Sequence, residues 1–136
     1  MLVLDASAVV ELLLVRPAAD HVERHMASHG HELHAPELLD VEVLSALRRL
    51  VASGDASPAR AGGAVTDLLD LPIERYPHET LVARIWELRH NFSAYDATYV
   101  ALAEALADNA APLLTADARF ARAVRVHGGV EALLVG

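Results

Sequence analysis

Short strand-like runs separated by stretches of helical spacing constrain this chain more than any other feature. The strand candidates are Leu2–Leu4, Glu32–Ala35, Ile73–Tyr76, Pro112–Thr115 and Val130–Val135. Leu2-Val3-Leu4 carries no polar alternation, the pattern of a strand buried on both faces. Between the runs, helical spacing is predicted from Ser7, as cap, to about Leu14, stopped by Pro17, and from Ala18 to Ser28. Further helices are predicted from Pro36 to Ser53, from Ser57-Pro58 to Leu71, and over Glu79–His90, Tyr95–Ala107 and Asp117–Val124. The Pro36 helix carries Leu39, Val43, Ala46, Leu47 and Leu50 on one stripe, with Gly54 after it. Alternation of this kind predicts an α/β fold, a parallel sheet with helices on both faces. With no internal repeat or linker, the 136 residues read as a single domain over 1–136.

Composition removes several chemistries. At 54% apolar and 22% charged, the chain is not intrinsically disordered. Cysteine is absent, which excludes disulfide scaffolds, thiolate metal sites and cysteine nucleophiles. All eleven basic residues are arginine, so no lysine-dependent mechanism is available. The net charge of −8 disfavours non-specific binding to nucleic acid, so a phosphate-bearing substrate needs local positive charge, such as a bound divalent cation. The apolar amino terminus lacks a basic n-region and contains Asp5 and Glu11, unlike a signal peptide. No run of about 18 uncharged apolar residues exists to span a membrane, and the expectation is a soluble, cytoplasmic protein.

In an open parallel sheet, ligands bind beyond the carboxyl ends of the strands. Asp5 directly follows the first apolar run, and Asp117 lies just past Leu113-Leu114-Thr115. Either alone also reads as a helix cap. Asp96 shares one face of its helix with Tyr99, Ala103 and Leu106, in line with the apolar stripe, where an unpaired carboxylate is costly. Its competing reading is a first-turn acid favoured by the helix dipole. Glu42 borders the stripe of the preceding long helix and, taken alone, reads as a surface glutamate. Together the four acids are able to form a pocket whose mutual repulsion calls for a cation. Oxygen ligands without thiolate select hard ions, Mg²⁺ or Mn²⁺, and a water on such an ion is a nucleophile toward phosphorus.

Four segments, Asp5–Leu12, Ala35–Val43, Ser93–Ala103 and Leu113–Phe120, resemble the PIN domain in order and local setting. More narrowly they resemble the VapC toxins of bacterial toxin–antitoxin pairs, and the likeness runs essentially end to end. The resemblance implies a three-layer α/β/α sandwich around a parallel sheet and a Mg²⁺- or Mn²⁺-dependent ribonuclease. It implies that Asp5, Glu42, Asp96 and Asp117 form the metal-binding and catalytic set, with Ser7 and Thr115 supporting them by hydrogen bonds. A homodimer held inactive by a VapB-type antitoxin is implied as well. Gly54–Glu79 matches no motif of the family.

Arginines near the four acids, Arg48, Arg49, Arg84, Arg89, Arg119 and Arg122, are candidates for contact with the RNA backbone. His21, His25 and His29 repeat every four residues, a spacing open to zinc, although a solvated face is the favoured reading. Trp86 reads as core or dimer interface, and Tyr99 and Phe120 as core. Apolar surface on the first helices suits an antitoxin helix. The alternative to a nuclease is a PIN-like scaffold that binds RNA or a partner without cutting. Receiver and dehalogenase-type phosphatase readings fail for lack of a lysine, and for the latter also for lack of an aspartate at position 7.

Overall fold

A computed structural model describes residues Met1–Gly136. Five strands, β1 (Leu2–Leu4), β2 (Leu33–Pro36), β3 (Ile73–Tyr76), β4 (Leu113–Thr115) and β5 (Ala132–Leu134), form one sheet in the order β3-β2-β1-β4-β5. Every neighbouring pair is parallel, with Val3 opposite both His34 and Leu113. The chain builds outward from β1 to β3, then returns to lay β4 on the other side of β1. The carboxyl ends of β1 and β4 therefore flank the point where strand order reverses, where such sheets form a crevice.

Seven helices complete a three-layer α/β/α sandwich: α1 (Ala6–Leu13), α2 (Ala19–Ser28), α3 (Leu38–Ser53), α4 (Pro58–Asp70), α5 (Val82–Glu87), α6 (Ala94–Ala105) and α7 (Ala118–His127). Leu2, Val3, Leu4, Leu113 and Leu114 are all fully buried, as their unbroken apolar runs predict. Residues Ala97–Ala103 of α6 are buried without a break, so this helix lies inside the molecule and shows no polar face over that stretch. In α3 only Leu39, Val43 and Leu47 are buried, one stripe at helical spacing. Ser57 accepts the Arg60 N–H with Pro58 in the first turn, and Gly54 closes α3 at φ +83.

Several boundaries differ from the sequence reading. The first helix is capped by Asp5 and not by Ser7, because α1 starts directly after β1 without a loop. Pro36 ends β2 and does not open α3. It lies opposite Tyr76, beyond the last β1–β2 pair at His34, where no inner ladder bond needs its missing N–H. The helix expected over Glu79–His90 is a six-residue α5 between two 3₁₀ turns, Glu79–Leu81 and Leu88–His90. No helix is long and apolar enough to cross a membrane.

Candidate active site

Asp5 is only 8% exposed, and its carboxylate is held from three directions. Oδ1 accepts the Ala6 N–H at 2.8 Å, while Oδ2 accepts the hydroxyls of Ser7 and Thr115, each at 2.7 Å. With those two protons committed, the hydroxyl oxygens act as acceptors elsewhere. Ser7 Oγ takes the Ala116 N–H at 2.9 Å and Thr115 Oγ1 takes the Asp117 N–H at 3.0 Å. The end of β1 is thereby clamped to the end of β4. Burial raises the Asp5 pKa despite these hydrogen bonds, and the neighbouring Asp117 charge pushes the same way.

Asp117 caps α7, its Oδ1 accepting the Arg119 and Phe120 N–H groups at 2.9 and 3.2 Å. The cap reading is therefore correct for this residue, yet Asp117 also borders the other acids. Asp96 lies in the first turn of α6, whose cap Ser93 accepts the Asp96 N–H at 3.1 Å. Its carboxyl is pushed up to about 6, first by burial, then by the charges of Asp5, Glu42 and Asp117. Glu42 on α3 is likewise raised, by burial and by Asp5. The structure thus brings all four predicted acids together at the head of the sheet, from the ends of β1 and β4 and from α3 and α6.

One further side chain belongs to this group. Tyr99, one turn after Asp96, is fully buried, and its ring is core as expected. Its hydroxyl, however, lies beside the Glu42 carboxylate, and burial with the charges of Glu42, Asp5 and Asp96 drives its pKa far up. Tyr99 Oη and Glu42 Oε1 are both buried and neither makes a hydrogen bond of good geometry, although the two side chains are close enough for the hydroxyl to act on Glu42 as a donor, lowering its pKa in part. The signal was present in the sequence, since Asp96 and Tyr99 stand three apart on one face, but the apolar stripe concealed the hydroxyl.

No three acidic or histidine side chains are gathered tightly enough to chelate one ion without rearrangement. The donor set is nonetheless entirely oxygen, carries a buried orphan at Glu42 Oε1 and is strained by like charge. Those properties fit a hard divalent cation and no soft one.

Among the arginines, Arg49 lines a hollow of about 320 Å³ with Glu42, Leu38 and Tyr95, and its charge acts on Glu42. Arg89 lies over the Trp86 ring at 4.4 Å from its centroid. Arg48, Arg119 and Arg122 are exposed. Arg84 is committed to Glu104 and Glu87, at 2.7 and 2.9 Å, which removes it as a backbone contact. Trp86 is 65% exposed and so is not core. His21 and His25 flank a shallow surface hollow with Arg24 and Ser28, while His29 Nδ1 is bonded to the His25 carbonyl oxygen.

Residues 2–126 match the family model described as PIN domain. The chain is 41% identical to "Ribonuclease VapC12" of Mycobacterium tuberculosis over 128 residues, covering 94% of this chain and 93% of that relative. It is 46% identical to "Ribonuclease VapC1" of the same organism over 122 residues, 89% of each. The crystal structure of PAE2754 from Pyrobaculum aerophilum superposes with a TM-score of 0.69 over 96% of this chain and 82% of that one, at 20% identity. That last likeness is one of fold.

Proposed function

This chain belongs to the PIN-domain family, and from that premise we propose that it is a metal-dependent endoribonuclease of the VapC type, the toxin of a toxin–antitoxin pair. The supporting observation is the convergence of Asp5, Glu42, Asp96 and Asp117 at the strand-order switch, with Asp5 clamped by Ser7 and Thr115. Asp5, Asp96 and Asp117, with Glu42 directly or through water, would hold Mg²⁺ or Mn²⁺. Bound there, such an ion would offset phosphate charge and lower the pKa of an attacking water. Hydrolysis adds that water to phosphorus and expels the 3′-oxygen, leaving a 5′-phosphate and a 3′-hydroxyl.

The protein's own groups do the positioning. Ser7 and Thr115 fix Asp5 in place, their hydrogen bonds opposing the upward push of burial on its pKa, and the Thr115–Asp5 and Ala116–Ser7 bonds tie the end of β4 to the end of β1. Arg49, which lines a hollow with Glu42 and acts on its charge, is assigned to the RNA backbone, with Arg48, Arg89 and Arg119 as outer contacts. The antitoxin is assigned to a groove of about 520 Å³ lined by Leu12, Leu13, Val15, Met26 and Leu71. Its Glu23 and Asp67 rim favours an amphipathic segment carrying basic residues. The working form is a cytoplasmic homodimer.

Cleavage of single-stranded RNA with Mg²⁺, with EDTA, and by Asp5→Ala or Asp96→Asn protein tests this reading. Wild-type protein should cut only with metal, and either variant should fall by at least about a hundredfold. RNA binding without cleavage at any metal concentration would return the reading to a non-catalytic scaffold.

A further inference from the structure

A buried hydroxyl without a partner is a cost to the fold, since water is lost and nothing replaces it. Tyr99 carries that cost in the interior of α6, fully buried and locked among Ala97–Ala103. Beside it, Glu42 Oε1 is an acceptor in the same condition. An unpaired donor and an unpaired acceptor standing together are complementary. A small movement of Glu42 satisfies both, because the Tyr99 ring is fixed by packing while Glu42 is a flexible side chain at the edge of the α3 stripe. We propose that Tyr99 is a positioning residue, its hydroxyl donating to Glu42 Oε1 once a divalent cation has drawn the carboxylates inward. The inference rests on the cation reading of the acidic pocket. It assigns the cost in the metal-free state to a hydrogen bond completed in the metal-loaded one, worth more because its acceptor is charged.

The test is a double-mutant cycle on Mn²⁺ affinity, read from the electron paramagnetic resonance signal of free Mn²⁺. It compares wild type, Tyr99→Phe, Glu42→Ala and the double variant, with the melting temperature of each metal-free protein. Tyr99→Phe keeps the ring, so its metal-free melting temperature should equal or exceed that of wild type. Its Mn²⁺ affinity should fall about tenfold, the usual loss for a group that orients a metal ligand. In the Glu42→Ala background, where no acceptor remains, the same change should cost nothing further. Unchanged Mn²⁺ affinity in Tyr99→Phe overturns the inference alone, as does an equal loss in both backgrounds. A clear drop in the metal-free melting temperature assigns the hydroxyl to the fold and overturns it too. Wild-type protein that fails to bind Mn²⁺ overturns the cation reading and this inference with it.

Discussion

Asp96 shows how a functional residue works against the fold that carries it. Its carboxyl is raised from 3.8 to about 6 by burial and by three like charges, so the folded state favours the protonated form. Below pH 4 the group is neutral in both folded and unfolded chains and contributes nothing. As the pH rises through 4 to 6 and above, the unfolded chain ionises freely while the folded one ionises at a cost, so stability is lost. Because the group is only half buried, solvent screening reduces the effect of this shift to about 1 to 2 kcal/mol. Asp5 and Glu42 are displaced in the same direction and add to it. Metal-free protein should therefore melt at a lower temperature at pH 8 than at pH 5, and Mn²⁺ should restore most of the difference at pH 8. Asp96→Asn should flatten that pH dependence and raise the metal-free melting temperature at pH 8 while abolishing RNA cleavage. A variant as pH-sensitive as wild type would show that the charge at Asp96 is not a source of the instability.

The same tension recurs where α1 ends. Val15 is 74% exposed and adopts φ +51, a left-handed conformation that suits glycine and penalises a branched side chain. Nothing in the fold requires valine there, but its side chain lines the groove assigned to the antitoxin. Val15→Gly should stabilise the isolated protein by about 1 kcal/mol, measured by urea denaturation, and weaken capture of the cognate antitoxin in a pull-down. Gain of stability with undiminished capture would detach Val15 from the groove's function. Element by element, legibility followed burial. β1 and β4 are written as unbroken apolar runs because both their faces are covered, and each run ends near its acid. The segment around α5 misled, since Leu81 and Leu88 point inward while Val82 and Trp86 point outward. Their combined spacing imitates one long amphipathic helix where the structure has a short α-helix between two 3₁₀ turns. Pairing order and the Tyr99–Glu42 juxtaposition arise from contacts distant in sequence, on which local spacing is silent.

On the scale of the whole molecule, two apolar surfaces on different helices suit two different partners. The α1–α2–α4 groove has acidic Glu23 and Asp67 in its lining, whereas the other surface joins Val41 of α3, Val82 and Trp86 of α5, and Tyr95 of α6, all exposed. Around Trp86 lies a cavity of about 460 Å³ whose lining includes Leu38, Ile85, Tyr95 and Arg89. Exposed tryptophan, tyrosine and arginine in one patch are the residue types that anchor protein interfaces, and a contiguous apolar patch is poorly tolerated on a monomer. Leu38 and Tyr95 also wall the hollow that contains Glu42, so whatever covers Trp86 borders the acidic pocket as well. Were the proposed second copy seated here, assembly would be linked to catalysis. Wild-type protein should sediment as a dimer at tens of micromolar, and Trp86→Glu, which places a charge in the middle of the patch, should sediment as a monomer with an unchanged melting temperature. Its RNA cleavage should fall with the dimer and recover in part at high protein concentration, where mass action rebuilds the contact. A Trp86→Glu dimer would move the interface to another face, and a fully active monomer would separate assembly from the chemistry at Asp5 and its neighbours.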